Sequence, residues 1–312
     1  MSPNEQKELD AFFEENLKSH RIHPSKSPMA SPVFFVKKKD GSLRFVQDSW
    51  KLNDITIKNA YPLPLVPDIM NKIAGAKAKY FTKLDVRWGY NNVCIKEGDE
   101  WKAAFWTNCG LYKPLVMFFC LTTSPATFQT MMNDIFKELI NEGVVVVFMD
   151  DILIFTESLE EHRRIVQHVL EILCPHHLYL KPEKCVFEQL AVEYLGLILS
   201  QGHVAMDPVK VAGVCNWPVP WNVTEVKSFL GFINFYHHFV DDFSHIAKPL
   251  NLLTKIGSQW SWESNGPEQA AFDELKCLIT STPILVLPDQ TKHFHLETDA
   301  STYATGTVVG NI

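Results

Sequence analysis

The sequence has no segment typical of a membrane or secreted protein. None of its apolar runs reaches the ~18–20 residues that span a bilayer, and the longest candidate contains Asp150 and Asp151. The N-terminal segment is polar and acidic from Asn4 to Glu15, so it lacks the apolar core of a secretory signal. These absences predict an intracellular protein that is not secreted and has no membrane partner.

Paired cysteines are also missing. The seven cysteines are scattered, and no two of them stand at C-x-x-C spacing. An odd, scattered set disfavours a disulfide framework and a structural zinc site, and it favours reduced thiols. The 46% hydrophobic and 21% charged fractions are those of an ordinary globular protein. A chain of 312 residues suffices for two or three subdomains with their own cores.

Positive charge is in the minority, since the formal net charge is −7. This total disfavours a nucleic-acid partner, but the charge is distributed unevenly. Between Ser25 and Lys58, seven basic residues stand against three acidic ones. One basic region therefore remains, and it permits nucleic-acid binding without establishing it.

Two adjacent carboxylates, Asp150 and Asp151, lie inside an apolar, β-branched stretch at residues 144–155. The pattern predicts two buried strands joined by a tight turn. Like charges in a poorly solvated turn repel each other unless a cation compensates them, and aspartate oxygens suit Mg²⁺ or Mn²⁺ rather than Zn²⁺. On this stretch alone, a metal site and an ordinary solvated turn are favoured about equally.

Two further stretches have charged residues at predicted strand ends. Residues 33–46 predict a hairpin with an Asp-Gly turn. Its tip carries Lys38 and Arg44, and it is either a solvated charged loop or a grip on phosphate. Asp85 ends another predicted strand beside a glycine break. It is either a site carboxylate or a helix N-cap.

Helical patterns dominate the rest of the chain. Ser124 and Pro125 open a predicted helix that continues through Ile140, with Ser124 as its cap. Residues 194–199 predict a short strand, and from Asp207 onward the pattern becomes mainly helical.

Six stretches follow one another in a recognisable order: 84–90 (LDVRWGY), 121–129 (LTTSPATFQ), 148–153 (FMDDIL), 180–185 (LKPEKC), 194–196 (YLG) and 229–236 (FLGFINFY). Together they resemble the reverse transcriptase of a gypsy-type LTR retrotransposon Pol polyprotein. Each motif alone is weak, whereas the set is specific, and the resemblance covers roughly residues 28–312. It implies a retrotransposon-derived RNA-directed DNA polymerase that extends a primer by two-metal nucleotidyl transfer.

The resemblance implies an α+β fold of the right-hand polymerase type, with fingers, palm and thumb, a helical connection and a truncated RNase H-like β start. The implied divisions are an N-terminal helix and linker at 1–27, fingers and palm at 28–200, thumb and connection at 201–257, and the truncated RNase H-like domain at 258–312. The implied partners are an RNA or DNA template-primer and deoxynucleoside triphosphates. Dimerisation stays open, and the implied compartments are the cytoplasm, a virus-like particle or the nucleus.

By the same resemblance, Asp85, Asp150 and Asp151 are the catalytic carboxylates. Together with the main-chain oxygen of Val86 they would bind two Mg²⁺ (or Mn²⁺) ions. The other implied site residues face the nucleotide or its surroundings: Lys38 and Arg44 grip the triphosphate, Tyr90 excludes a 2′-hydroxyl, Gln129 supports the template side, and Lys184 donates a proton to pyrophosphate.

The last segment has predicted strands at 293–299 and 305–312, and it resembles the opening of an RNase H domain. Asp299 matches the first catalytic carboxylate of that domain. Because the chain ends before the other carboxylates, no nuclease activity is expected, and protease and integrase segments are absent as well.

Several positions depart from the family's usual residues: Ser49 replaces Tyr or Phe, Trp50 replaces Arg, Cys120 replaces Gly, Thr123 replaces Asn, and His237-His238 replace a basic pair. Cys120 matters most, because a glycine there lets the backbone turn left-handed or approach the nucleotide. Two readings therefore remain. The chain is either an active reverse transcriptase or a degenerate, catalytically weak or dead remnant that retains the fold and nucleic-acid binding.

Overall fold

The computed structural model describes residues 2–37, 41, 43–237, 240, 242–281, 285–286, 294–300 and 305–311. The chain forms two compact units. The first comprises Met1–Leu65, Lys83–Ile154 and Arg163–Val186, and the second comprises Val66–Thr82, Phe155–His162 and Phe187–Ile312. The domain boundaries implied by the resemblance stay predictions, because compactness alone does not test them.

The described residues form both helices and strands. The helices are α1 (Pro3–Lys18), α2 (Trp50–Ile55), α3 (Val66–Gly75), α4 (Ser124–Ile135), α5 (Lys137–Asn141), α6 (Leu159–Leu173), α7 (Pro208–Cys215), α8 (Val223–Asn234), α9 (Phe243–Ile246), α10 (Lys248–Leu253) and α11 (Pro267–Thr280). The strands are β1 (Ile22–Pro24), β2 (Val33–Lys37), β3 (Leu43–Gln47), β4 (Tyr80–Asp85), β5 (Phe105–Thr107), β6 (Gly110–Pro114), β7 (Val145–Phe148), β8 (Asp151–Thr156), β9 (Val186–Gln189), β10 (Ala191–Tyr194), β11 (Leu197–Ser200), β12 (His203–Met206), β13 (Leu285–Val286), β14 (Phe294–Ala300) and β15 (Thr305–Asn311).

The apolar stretch at 144–155 forms the β7–β8 hairpin, as its pattern predicts. Val145 pairs with Ile154, and Phe148 pairs with Asp151. Consecutive side chains of both strands are buried, which explains why the stretch is apolar throughout instead of alternating. The strand order in this sheet is β7-β8-β4-β9. Its core within the first unit also contains buried side chains from neighbouring elements: Leu84, Val86, Phe128, Met132, Ile165 and Val169.

Helix α1 packs on a second core of the first unit. A capping box starts the helix, because the Ser2 hydroxyl accepts from the Glu5 N–H and the Glu5 carboxylate accepts from the Ser2 N–H. Leu9 and Phe13 lie one turn apart and are buried against Ile22 and Phe105. The nearby β2–β3 hairpin has its predicted strands, although Lys38 and most of the turn lie outside the described residues.

In the second unit, β10, β11, β12 and β13 form an antiparallel sheet in that order. The mainly helical pattern predicted from Asp207 onward begins with α7, which Asp207 caps, because its carboxylate accepts from the Val209 N–H at 2.9 Å. The helices of this unit share an aromatic core, in which the Phe229 and Phe272 rings lie 4.6 Å apart. Strands β14 and β15 pair with each other, from Phe294 opposite Asn311 to Ala300 opposite Thr305, close to their predicted ranges.

Two predicted elements were wrong in detail. The helix expected from Ser124 through Ile140 is interrupted at Phe136, and Ser124 does not cap it, because its hydroxyl donates to the Phe118 carbonyl. The single strand expected at 194–199 is a hairpin whose two turn residues, Leu195 and Gly196, have φ of 52° and 78°. A two-residue turn with positive φ at both positions suits tight strand pairing, but leucine is an unusual residue for it.

Candidate functional site

Two main-chain contacts bring the predicted carboxylates together at one end of the first unit. The Val86 N–H donates to the Asp150 carbonyl at 2.8 Å, so the end of β4 lies against the turn of the β7–β8 hairpin. The Lys181 N–H donates to the Asp85 carbonyl at 2.9 Å, which adds a third chain segment. Asp85 at the end of β4, Asp150 in the hairpin turn and Asp151 at the start of β8 thus lie close together along the main chain.

The Asp85 carboxylate is held by two lysines. Lys181 Nζ lies 2.6 Å from Asp85 Oδ1, and Lys184 Nζ lies 3.5 Å from Oδ2. The Asp85 side chain is only 13% exposed, so the pair with Lys181 is weakly screened by water. Lys181 Nζ also lies 3.5 Å from the Val86 carbonyl oxygen. The Lys181 ammonium therefore contacts an Asp85 carboxylate oxygen and the Val86 carbonyl oxygen. The resemblance implies both of these residues as metal ligands.

The Asp150 carboxylate has no direct contact of this kind at one of its oxygens. Its Oδ1 is buried and has no hydrogen-bond partner among the residues that the structure describes. Burial raises the pKa of Asp150 to about 6; Lys181 and Lys184 oppose that shift, and Asp85 and Asp151 add to it. An unpartnered buried carboxylate oxygen is costly unless something else binds it.

Asp151 has a closer cation. Burial raises the pKa of the Asp151 carboxyl, and Lys83, whose Nζ is 3.6 Å from Oδ1, opposes that shift. Asp151 is the first residue of β8 and pairs with Phe148. The turn itself consists of Met149 and Asp150.

The donor set fits a hard divalent cation. Asp85, Asp150, Asp151 and the Val86 carbonyl offer oxygen ligands only, and the bare Asp150 Oδ1 is the atom that most needs a cation. Within the described part of the chain, however, no three His, Cys, Asp or Glu side chains already converge on a metal-sized point. Metal binding at Asp85 therefore requires Lys181 to withdraw.

This competition predicts that Lys181→Met tightens Mn²⁺ binding. Removing the ammonium frees the Asp85 and Val86 oxygens and removes a positive charge beside them, so an affinity gain of about tenfold is expected. The measurement is a Mn²⁺ titration followed by electron paramagnetic resonance at about pH 8, where Asp150 is ionised. Lys184→Met is the matched control and should change the affinity less, because its ammonium is farther from Asp85 and its side chain is 60% exposed. Unchanged or weaker binding in Lys181→Met would count against the competition.

An aromatic cluster lies next to the hairpin turn. Tyr90 is buried, and its ring meets Phe119 and Phe128 edge to face at centroid distances of 4.8 and 5.6 Å. Burial raises the pKa of Tyr90 to about 12, so its hydroxyl stays protonated and donates to Met149 Sδ at 3.5 Å. The Arg44 guanidinium lies 5.5 Å from the Phe119 ring on the other side. Phe119 thus links two predicted nucleotide-contacting residues.

Gln129 is fully buried, and its side-chain amide binds the Val147 carbonyl and the Met149 N–H. The residue therefore contacts the turn that carries Asp150, and its implied support of the template side stays a prediction. Asp299 lies in β14, and its side chain is outside the described residues.

Sequence reasoning missed Lys181, Lys83, Gly89 and Phe119. Lys181 and Gly89 stand inside the motifs that carry the resemblance, and Phe119 precedes one of them. Nothing in their local pattern predicts which distant carboxylate or ring they contact. Gly89, between Trp88 and Tyr90, was the clearest available signal, because a glycine in such a place often marks the close approach of other atoms to the main chain. In the structure those atoms belong to Asp150 and Phe128.

The residues that depart from the family's usual pattern do not strain the main chain at Cys120 or disturb the core at Trp50. Cys120 has no positive φ, so its side chain meets no left-handed strain, and its carbonyl accepts from the Asn53 amide at 2.8 Å. Trp50 is 79% exposed and does not fill a core position. Ser49 is buried, and its hydroxyl finds no partner in the described part of the chain.

Residues 36–199 match the family described as reverse transcriptase (RNA-dependent DNA polymerase). The chain belongs to this family. Residues 262–311 also match the RNase H-like domain found in reverse transcriptase. The resemblance predicted from the six motifs is thereby confirmed, while the gypsy-type subclass stays a prediction.

Relatives of this reverse transcriptase chain are transposon polyproteins. It is 38% identical to the retrovirus-related Pol polyprotein from transposon opus of Drosophila melanogaster, over 97% of this chain and 31% of that protein. It is 38% identical to the corresponding polyprotein from transposon 297, over 97% and 29%. It is 36% identical to the transposon Tf2-3 polyprotein of Schizosaccharomyces pombe, over 99% and 23%. The chain thus spans less than a third of the length of these relatives.

Solved structures confirm the predicted α+β reverse transcriptase fold. The foamy viral protease-reverse transcriptase dRH in complex with double-stranded DNA superposes with a TM-score of 0.88 at 23% identity, over 99% of this chain and 54% of that one. The foamy viral protease-reverse transcriptase in complex with an RNA/DNA hybrid gives a TM-score of 0.84 at 23% identity, over 100% of this chain and 42% of that one.

None of the described helices is both long and apolar enough to cross a membrane.

Proposed function

We propose that this chain is an RNA-directed DNA polymerase that adds deoxynucleotides to a primer. One observation carries the proposal: the hydrogen bond from the Val86 N–H to the Asp150 carbonyl joins the end of β4, which carries Asp85, to the turn that carries Asp150. The bare Asp150 Oδ1 points to a cation at the same place. Family membership makes nucleotidyl transfer the reaction to expect there. The proposed partners are an RNA or DNA template-primer and deoxynucleoside triphosphates, inside the cell.

In the proposed mechanism, Asp85, Asp150, Asp151 and the Val86 carbonyl would hold two Mg²⁺ or Mn²⁺ ions. When bound, such ions would lower the pKa of the primer 3′-hydroxyl and stabilise the charge on the leaving pyrophosphate. Arg44, with Lys38, binds the triphosphate through charge-assisted hydrogen bonds. Lys184 has an exposed ammonium beside Asp85, and it supplies a proton to the pyrophosphate.

Primer extension on poly(rA)/oligo(dT) with Mg²⁺ and with Mn²⁺ tests the proposal. The wild-type chain is expected to incorporate dTTP, and Asp85→Asn should reduce the rate by about 10³-fold or more because a charged ligand is lost. Asp54→Asn is the control, since Asp54 is exposed and lies outside the proposed site. A well-folded wild-type chain without incorporation would support the degenerate remnant instead. Activity that survives in Asp85→Asn would refute the proposed site.

The proposed role of Tyr90 gives a separate expectation. Its ring is fixed on two sides by Phe119 and Phe128, so it cannot move aside for a 2′-hydroxyl. Tyr90→Ala is expected to raise ribonucleotide incorporation relative to deoxynucleotide incorporation by about 10–100-fold. Tyr90→Phe keeps the ring and loses only the contact with Met149, so its selectivity should stay near that of the wild type. The ratio of kcat/KM for UTP and dTTP measures both variants, and equal ratios in Tyr90→Ala and wild type would exclude a steric role.

A further inference from the structure

The turn that presents Asp150 has an unfavourable backbone conformation. Met149 has φ of 54°, a value that residues with a Cβ rarely adopt. Such a conformation persists only where surrounding contacts enforce it. The contacts that enforce it therefore determine where the Asp150 carboxylate points.

Gln129 binds the main chain at Met149 and just before it. Its Oε1 accepts from the Met149 N–H at 2.8 Å, and its Nε2 donates to the Val147 carbonyl at 2.9 Å. Gln129 has no exposed surface, so water cannot replace either bond. One side chain of α4 thus satisfies two main-chain groups where the chain enters the turn.

The orientation of the Gln129 amide is itself fixed. Nε2 also donates to Asn133 Oδ1 at 2.9 Å, and Asn133 Nδ2 donates to the Tyr61 hydroxyl at 2.8 Å. A reversed amide would place Nε2 against the Met149 N–H and Oε1 against two acceptors. The Val147 carbonyl and the Met149 N–H therefore fix the orientation of the Gln129 amide, because the first can only accept and the second can only donate. Asn133 adds a third bond to this amide, and Tyr61 extends the network.

Tyr61 stands at the start of the proline-containing segment Tyr61-Pro62-Leu63-Pro64. Asn59, two residues before Tyr61, makes a second contact with α4: its Nδ2 lies 3.4 Å from Thr127 Oγ1. The segment at 59–61 thus contacts α4 at two points, and only the one at Tyr61 continues by hydrogen bonds to the turn.

We propose that Gln129 is a positioning residue for nucleotidyl transfer, and that Asn133, with Tyr61 behind it, holds the Gln129 side chain in place. Gln129 touches no substrate in this proposal. It acts by holding Met149 in the left-handed region, which aims the Asp150 carboxylate towards Asp85. The proposal rests on the proposed polymerase function.

The primary test compares the wild type with Gln129→Leu and Asn133→Ala. In both variants kcat for dTTP is expected to fall, by about 10–100-fold in Gln129→Leu and less in Asn133→Ala, while KM for dTTP stays within about twofold. Tyr61→Phe should have the smallest effect. Gln167→Leu is the matched control, because Gln167 on α6 is exposed and its side-chain amide donates to Glu171, and its kinetics should not change. If folded Gln129→Leu keeps the wild-type kcat, or if the substitution changes mainly KM, the proposal is overturned.

Amide hydrogen exchange provides a readout that does not depend on activity. Amide exchange in peptides covering residues 144–156 should become faster in Gln129→Leu, while peptides of α8 keep the wild-type rate. If Gln129→Leu does not fold, Asn133→Ala takes its place in this comparison. Unchanged exchange at the hairpin in the folded variant contradicts the positioning role. If the wild-type chain incorporates no nucleotide, the polymerase proposal fails on its own, and the exchange result still decides whether Gln129 holds the turn.

Discussion

Asp150→Asn is expected to abolish nucleotide incorporation and at the same time raise the melting temperature of the metal-free protein. Activity is lost because an amide binds a divalent cation far more weakly than a carboxylate does. Stability rises because the wild-type carboxylate is half-buried, and its buried Oδ1 has no partner in the described part of the chain. The carboxylate that the proposed reaction needs is thus unfavourable for the metal-free fold.

The pKa of Asp150 determines the sign and the pH range of this effect. Burial raises that pKa from 3.8 to about 6, so the folded chain retains a proton that the unfolded chain releases. The stability cost of Asp150 is absent at low pH, grows as the pH rises from about 4 to 6, and is complete above that range. After allowance for the partial exposure of the group, the gain from Asp150→Asn above pH 7 is about 1–2 kcal/mol.

Thermal unfolding of both proteins with EDTA at about pH 7.5 and about pH 4 measures the effect. The variant should melt higher by a few degrees at the upper pH, and the difference should narrow at the lower pH. Asp54→Asn, at an exposed position, should show no comparable change. Added Mn²⁺ should stabilise the wild type and reduce its disadvantage, because the bound cation compensates the charge. A variant that melts lower than the wild type at the upper pH would contradict this account.

The β7–β8 hairpin and the start of α7 could be predicted because their signals are local. Residues 144–155 are apolar on both faces of two short strands, and Asp207-Pro208 is a helix start that the structure retains. The fold as a whole and the set of site carboxylates were predicted only through the resemblance. Of the two breaks in predicted elements, the one at Leu195-Gly196 had a local signal in its glycine, whereas Phe136 is not a typical helix breaker, so tertiary packing must override local preference there.

The lysines of the site show the limit of sequence reasoning most clearly. The Asp150-Asp151 pair is visible as charge inside an apolar run, but its compensation comes from Lys83, Lys181 and Lys184, which are distant in sequence. Lys184 was selected by resemblance, whereas the structure places Lys181 closer to Asp85. Such contacts depend on how three strand ends meet, which no single stretch encodes.

Gly89→Ala is the second substitution with a large expected effect, because Gly89 provides the space that Asp150 occupies. A Cβ at this position would overlap Asp150 Oδ1 and would lie 3.0 Å from the Phe128 ring. Neither neighbour can move freely, since the Phe128 side chain is completely buried and the Asp150 main chain is bonded to Val86. Displacement of the carboxylate should reduce incorporation by about 10²–10³-fold and destabilise the chain by about 1–3 kcal/mol.

Two comparisons separate this steric effect from a general cost of replacing glycine. Gly213→Ala is the matched control, because Gly213 lies in α7 with nothing within 4 Å of an added Cβ. It should keep full activity and stabilise the helix by up to about 1 kcal/mol. In an Asp150→Ala background the carboxylate is gone, so the stability cost of Gly89→Ala should shrink to the part caused by Phe128. Equal costs in both backgrounds, or a Gly89→Ala chain with wild-type incorporation, would show that Gly89 does not make room for Asp150.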